Sequence, residues 1–144
     1  MEICTIGFAK KTAEGFFGLL RRAGIKRVLD VRLNNTSQLA GFTKREDLPF
    51  FLQGLCGATY THEPMLAPTQ EILDAYRAGG SWDDYQTRFV ELLTVREVEN
   101  LLDRSSFGTP TALLCSEPGP EQCHRRLVAE YLRAKWTDVS IRHL

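Results

Sequence analysis

Apolar residues along this chain follow two alternating rhythms. Short unbroken runs occur at Glu2 to Ile6, Lys26 to Val31 (KRVLDV), Thr59 to Thr61 and Thr111 to Cys115 (TALLC). Between them lie segments whose apolar positions recur every three or four residues. The first rhythm predicts strands and the second helices. From Thr12 to Ala23, the residues Phe16, Leu19, Leu20 and Ala23 fall at i, i+3, i+4 and i+7, with Gly7 ending the strand before them and Gly24 closing the helix. Leu48, Phe51, Leu52 and Leu55 repeat the spacing, with Pro49 tolerable only in the first turn and Gly57 as the stop. Thr69 to Ala78 and Trp82 to Arg104 are helical in composition, separated by a Gly-Gly-Ser break, and the second segment reads as two helices. A further helix carries Leu127, Val128, Tyr131 and Leu132, and Val139 to Ile141 reads as a last strand. Two connections are irregular: the polar stretch Arg32 to Lys44, and HEPMLAPT with its two prolines.

Strands alternating with helices predict an α/β fold, a doubly wound, mostly parallel sheet with helices on both faces. TALLC, bounded by Pro110 and Pro118, has the continuous apolar character of a central strand buried on both sides. No repeat, linker or low-complexity stretch divides the 144 residues, so they are read as one domain. Ligands of such sheets bind beyond the carboxyl ends of the strands. The residues expected there are Gly7 and Phe8; Asp30, Arg32 and Asn34; His62 and Glu63; and Cys115, Ser116 and Glu117.

Charge narrows the options. Eighteen basic residues balance eighteen acidic ones, which excludes a globally basic nucleic-acid coat and makes any anion site local. No apolar run approaches the roughly 18 residues of a membrane span. The N-terminus enters structure without a basic leader, so a cytoplasmic protein is expected. In that setting Cys4, Cys56, Cys115 and Cys123 are expected as reduced thiols rather than two disulfides.

The segment LLCSEPGPEQCHRRLVAEYL concentrates the candidate chemistry. Cys115 ends a strand, and Cys123, His124 and Arg125 stand at a helix start, where unpaired N–H groups lower a thiol's pKa and attract anions. Cys115 and Cys123 are candidate nucleophiles, and Glu117 and His124 candidate proton carriers. The bland alternatives are a small buried apolar residue for each cysteine and loop or cap contacts for Glu117 and His124. Asp30 and Arg32 lie two apart and either hold a ligand or form a structural ion pair. Arg125, His62 and Ser37 complete the candidate substrate contacts, with Asn34, Asn35, Gln38, Phe42, Lys44 and Arg45 giving the long loop hydrogen-bonding and stacking capacity. His143 is expected to play no part, and Trp82, Tyr85, Phe89, Leu92 and Leu93 read as a core stripe. Cys115, Cys123 and His124, with His62 or Asp30 as fourth ligand, compose a zinc alternative, but C-x7-C-H matches no standard knuckle. Neither a phosphate loop (GxxxxGKS) nor GxGxxG is present, and no metal or organic cofactor is expected.

Three motifs, Thr5-Ile6-Gly7, Asp30-Val31-Arg32, and Cys115-Ser116-Glu117 followed by Cys123-His124-Arg125, give the chain a resemblance to the domain-of-unknown-function family 488 along essentially its whole length. The resemblance implies a compact α/β fold and a shared site. Many such proteins read DVRxxPxSR after the second strand, whereas this chain reads DVRLNNTSQ, keeping Ser37 without the proline and arginine. The resulting expectation is a small enzyme performing hydrolysis or group transfer on an anionic substrate, nucleotide or nucleic-acid-derived, held by Arg32 and Arg125. A non-catalytic nucleotide or nucleic-acid binding module is the alternative, requiring a shallow positive groove lined by Lys44, Arg45 and Arg125. A metal-binding protein is the third.

Overall fold

A computed structural model describes residues 1–36 and 41–144; Ser37 and Gln38 of the expected substrate loop lie outside the described residues. Five strands, β1 (Glu2–Gly7), β2 (Arg27–Asp30), β3 (Thr59–His62), β4 (Thr111–Cys115) and β5 (Ser140–His143), form one sheet in the order β3-β2-β4-β1-β5. Every pairing is parallel. The α-helices are α1 (Ala13–Arg22), α2 (Leu48–Cys56), α3 (Gln70–Arg77), α4 (Trp82–Arg96), α5 (Val98–Leu101) and α6 (His124–Lys135). Among the described residues no helix is long and apolar enough to cross a membrane.

The centre of the sheet explains the unbroken TALLC run. All five residues of β4 are buried, because side chains alternate between two separate cores. Ala112 and Leu114 join Phe16, Phe17 and Leu20 of α1 and Leu48 and Leu52 of α2. Leu113 and Cys115 join Tyr85, Phe89 and Leu93 of α4 and Leu127, Val128 and Leu132 of α6 on the opposite face. Cys115 therefore faces α4 and α6 as a direct result of the strand's two-residue period.

Helix ends follow their local chemistry. Thr12 Oγ1 accepts the Gly15 N–H at 3.0 Å and Ser81 Oγ accepts the Asp84 N–H at 3.0 Å, each satisfying a donor left free at a first turn. Gly57 closes α2 at φ 59°, a left-handed conformation that glycine adopts without strain. The helical stretch expected over Trp82 to Arg104 divides at Glu97, which has φ 50° and separates α4 from α5; Arg104–Gly108 is a tight 3-10 turn. The strand expected over Val139 to Ile141 lies at Ser140–His143, starting one residue and ending two residues further along, where Glu2 to Thr5 of β1 pair with it in parallel.

Gly7, at the carboxyl end of β1, lies beside Cys115 in the parallel register. The loop after β4 folds back over it, and the Ala9 N–H donates to the Ser116 carbonyl at 2.9 Å. A Cβ on Gly7 would stand 1.6 Å from the Glu117 carbonyl oxygen and 2.8 Å from Arg125 Nη1. Here glycine is required by close approach of two backbones. Gly7→Ala is expected to cost more than about 3 kcal/mol in urea denaturation, since neither backbone can yield cheaply. Gly18→Ala, inside α1, meets only the flexible Arg22 side chain at 3.1 Å and is expected to gain about 0.5–1 kcal/mol in the same measurement.

Candidate active site

Cys115 and His124 meet at the carboxyl end of the central strand. Cys115 Sγ lies 3.5 Å from His124 Nδ1, and His124 Nε2 lies 2.6 Å from the Val31 carbonyl oxygen. A carbonyl only accepts, so Nε2 carries the proton and donates. Nδ1 is thereby turned to the sulfur, either accepting from a thiol or donating to a thiolate. Phe89 seals the ring from behind, edge to face at 5.6 Å between centroids. The Asp30-Val31-Arg32 and Cys123-His124-Arg125 segments, 93 residues apart at this contact, are joined through it.

Burial by itself pushes the Cys115 thiol up, but a hydrogen bond from Cys123, the charge of His124, the Nδ1 contact and the Glu117 backbone N–H together hold it well below its ordinary value. Burial likewise lowers His124, yet the neighbouring Cys115 charge, its hydrogen bond and the Val31 carbonyl carry it above the ordinary imidazole range. The opposed shifts favour a thiolate–imidazolium pair. Cys123 moves the other way: burial and its hydrogen bond to Cys115 keep its proton on. Of the two sulfurs, Cys115 is therefore the one whose surroundings favour the thiolate.

Arg125 supplies a fixed positive charge beside them. It is fully buried, and Nη1 donates to the Glu117 carbonyl at 2.7 Å and to Cys123 Sγ at 3.3 Å. Its Nε has no hydrogen-bond partner, and no carboxylate pairs with it among the described residues. With no carboxylate beside it among the described residues, the adjacent sulfurs are where compensating negative charge can develop. Glu117 acts here through its backbone, while its side chain is exposed.

Asp30 and Arg32 form a compact buried network. Arg32 Nε and Nη2 donate to the two Asp30 carboxylate oxygens at 2.8 Å each, and Nη2 also donates to the Thr43 carbonyl at 2.6 Å. Tyr60 Oη donates to Asp30 at 2.6 Å and accepts from Asn35 Nδ2 at 3.0 Å. His62 Nε2 contacts the Arg32 carbonyl at 2.7 Å. The Arg32 guanidinium lies 5.2 Å from the Phe8 ring centroid. These polar groups spend most of their hydrogen-bonding capacity on one another.

A cleft of about 180 Å³ opens above the cysteines. Arg32, Leu33 and Asn34 form one side, Cys115 to Glu117 and Gln122 to His124 the floor, and Tyr76, Arg77, Trp82 and Tyr85 the wall. The structure thus brings Cys115, Glu117, Cys123, His124 and Arg32 to one hollow and places Arg125 beneath it. Asp30 and His62 stand behind Arg32. Lys44 and Arg45 border a different hollow with Thr36 and Glu46. His143 bonds Thr5 Oγ1 at 2.6 Å near the β5 edge.

The aromatic wall was not legible as a site. Tyr85 and Phe89 belong to the core as their spacing predicts, yet Trp82 stacks on Tyr85 at 5.0 Å and remains partly exposed beside Tyr76. The available signal was the position of Trp82, one residue past the Gly-Gly-Ser break at the very start of α4. Donor atoms of Cys115, Cys123 and His124 lie within 4.8 Å of one another, the group among the described residues able to offer three ligands to a soft cation.

A family model described as "Domain of unknown function DUF488" matches residues 12–132. No curated protein and no solved structure matches the chain.

Breaking the Asp30–Arg32 pair leaves a buried guanidinium without its carboxylate. Asp30→Ala is expected to lower unfolding free energy by about 3–5 kcal/mol, measured by urea denaturation. Replacing both residues together, as Asp30→Leu with Arg32→Met, should cost less than that single change.

Proposed function

The chain belongs to the DUF488 family, and from its site we propose that it is a thiol-dependent enzyme in which Cys115 is the nucleophile and His124 the proton carrier. The observation that carries this reading is the 3.5 Å contact between Cys115 Sγ and an imidazole nitrogen whose partner nitrogen is held by the Val31 carbonyl. In hydrolysis or group transfer, the Cys115 sulfur attacks an electrophilic centre and displaces a leaving group that takes the Nδ1 proton. His124 then removes a proton from water or from an acceptor, which attacks the sulfur-bound intermediate and releases Cys115. Reduced thiols of this kind suit a cytoplasmic setting, which forms part of the proposal.

Substrate size is bounded by the cleft. At about 180 Å³ it is smaller than the roughly 300–1,000 Å³ of ordinary ligand pockets, which favours a small electrophile or the reacting end of a larger molecule. An anionic or nucleotide substrate draws support from Arg77 at the rim and from Tyr76 and Trp82 as stacking surfaces. Arg32 and Arg125 support it less, because Arg32 Nε and Nη2 bond Asp30 and Arg125 is fully buried with Nη1 on Glu117 and Cys123. The binding-module alternative has less behind it, since Arg125 is buried away from any surface groove.

The groups acting on Cys115 are Cys123 at the cap of α6, His124 in its first turn, Tyr85 of α4 and the Glu117 N–H, with Arg125 bonded to the Cys123 sulfur. A depressed thiol pKa keeps the thiolate until pH falls through the lowered value, and the raised His124 pKa keeps the imidazolium until pH rises through it. The reactive ion pair occupies the window between. Iodoacetamide is expected to label Cys115 at a rate that changes less than about threefold between pH 8 and 6, whereas an ordinary thiol slows by nearly a hundredfold. His124→Gln should restore the steep dependence. Absence of labelling at both Cys115 and Cys123 in the native protein would discard the nucleophile. One equivalent of zinc or iron by elemental analysis, protecting both thiols, would replace it with a metal site.

A further inference from the structure

We propose that Cys123 is a resolving thiol and that the substrates of this site include hydroperoxides, reduced to alcohol or water as Cys115 and Cys123 close into a disulfide. The inference rests on Cys115 being the nucleophile and deepens that role by naming the electrophile. Hydrolysis or group transfer needs one thiol. The structure places a second within 4.8 Å of the first, both beside the same imidazole and below the same small cleft.

Cys4 and Cys56 belong to the core on the other face of the sheet and provide internal comparison. Cys123 has a particular environment. It caps the start of α6 without a side-chain capping bond, its sulfur accepts from Arg125 Nη1 at 3.3 Å, and the irregular loop 116–122 separates it from Cys115. The chain at Cys115 is anchored by the parallel ladder to Gly7, so the loop and the α6 start are the parts able to bring the sulfurs to bonding distance, about 2.05 Å.

In the first step the Cys115 thiolate attacks one peroxide oxygen. The S–O bond forms as the O–O bond breaks, and the departing oxygen takes the His124 Nδ1 proton to leave as alcohol or water. Cys115 is then a neutral sulfenic acid and His124 a neutral imidazole. Burial still holds the Cys123 proton, but loss of the Cys115 charge removes the second reason for keeping it, and Arg125, bonded to the Cys123 sulfur, favours the thiolate as it forms. Cys123 passes its proton to His124 and attacks the Cys115 sulfur. The S–S bond forms, the S–O bond breaks, and hydroxide leaves as water with the His124 proton. Two thiols and one hydroperoxide have become a disulfide, an alcohol and water. An external dithiol restores the reduced form by exchange.

Hydrogen peroxide added to the reduced full-length chain tests this. One equivalent is expected to be consumed per chain with a loss of about 2 Da, peptide mapping placing the disulfide between Cys115 and Cys123. Cys115 should oxidise on the order of a hundredfold faster than Cys4 or Cys56 in the same chain. Cys123→Ser, with Cys123→Ala as a second variant should the first fold poorly, is expected to keep fast Cys115 oxidation but to accumulate a dimedone-reactive sulfenic acid about 16 Da heavier. Rapid iodoacetamide labelling of Cys115 combined with no disulfide, or with oxidation of wild type directly to sulfinic acid, would overturn the resolving role and leave the nucleophile standing. Slow oxidation and slow labelling together would overturn both.

Discussion

Two hydrogen-bonding atoms of one imidazole organise the functional end of this molecule. His124 spends Nε2 on the Val31 carbonyl, beyond β2, and presents Nδ1 to Cys115 at the end of β4. Because one nitrogen is committed to an acceptor, the other has a defined role at the sulfur, and the tautomer is set by the backbone rather than by solvent. Phe89 from α4 fixes the ring plane, so the geometry draws on two helices and two strands at once.

Around that contact, buried charge is handled in two different ways. Asp30 and Arg32 cancel each other through two 2.8 Å bonds, with Tyr60, Asn35, Thr43 and His62 completing the surrounding polar network. Arg125 has no such carboxylate among the described residues and directs its guanidinium to a carbonyl and to the Cys123 sulfur. A self-compensated pair supports the fold and contributes little field at a distance. Arg125, whose Nη1 bonds the Cys123 sulfur, draws that thiol down against the burial that keeps its proton on. The same residue type thus closes an ion pair in one case and reaches a thiol in the other.

Gly7 makes this arrangement sterically possible. Its missing side chain lets the loop after β4 cross close enough for the Glu117 carbonyl to receive Arg125 and for the Glu117 N–H to reach Cys115. Sequence reasoning pointed to the Glu117 carboxylate as a proton carrier. Its peptide groups take part as well, receiving Arg125 and reaching Cys115, and any residue type would supply those, so composition cannot reveal them.

The sequence by itself determined the alternation of strands and helices, the buried central strand at Thr111 to Cys115, and the cluster of Cys123, His124 and Arg125 at a helix start. Those features are local, governed by side-chain periods of two and of three to four, by caps and by glycine stops. It also exposed Asp30 and Arg32 as neighbours on one side of a strand, open either to a ligand or to each other. Tertiary structure supplied what the sequence could not, the internal ion pair with Thr43 and Tyr60 as further partners, while leaving Arg32 on the cleft. It likewise made Trp82 part of a cleft wall, and it placed Cys123 with Cys115 and His124 on one small hollow. Such choices depend on which distant backbone and side-chain groups come within hydrogen-bonding range, and chain-local periodicity carries no information about those distances.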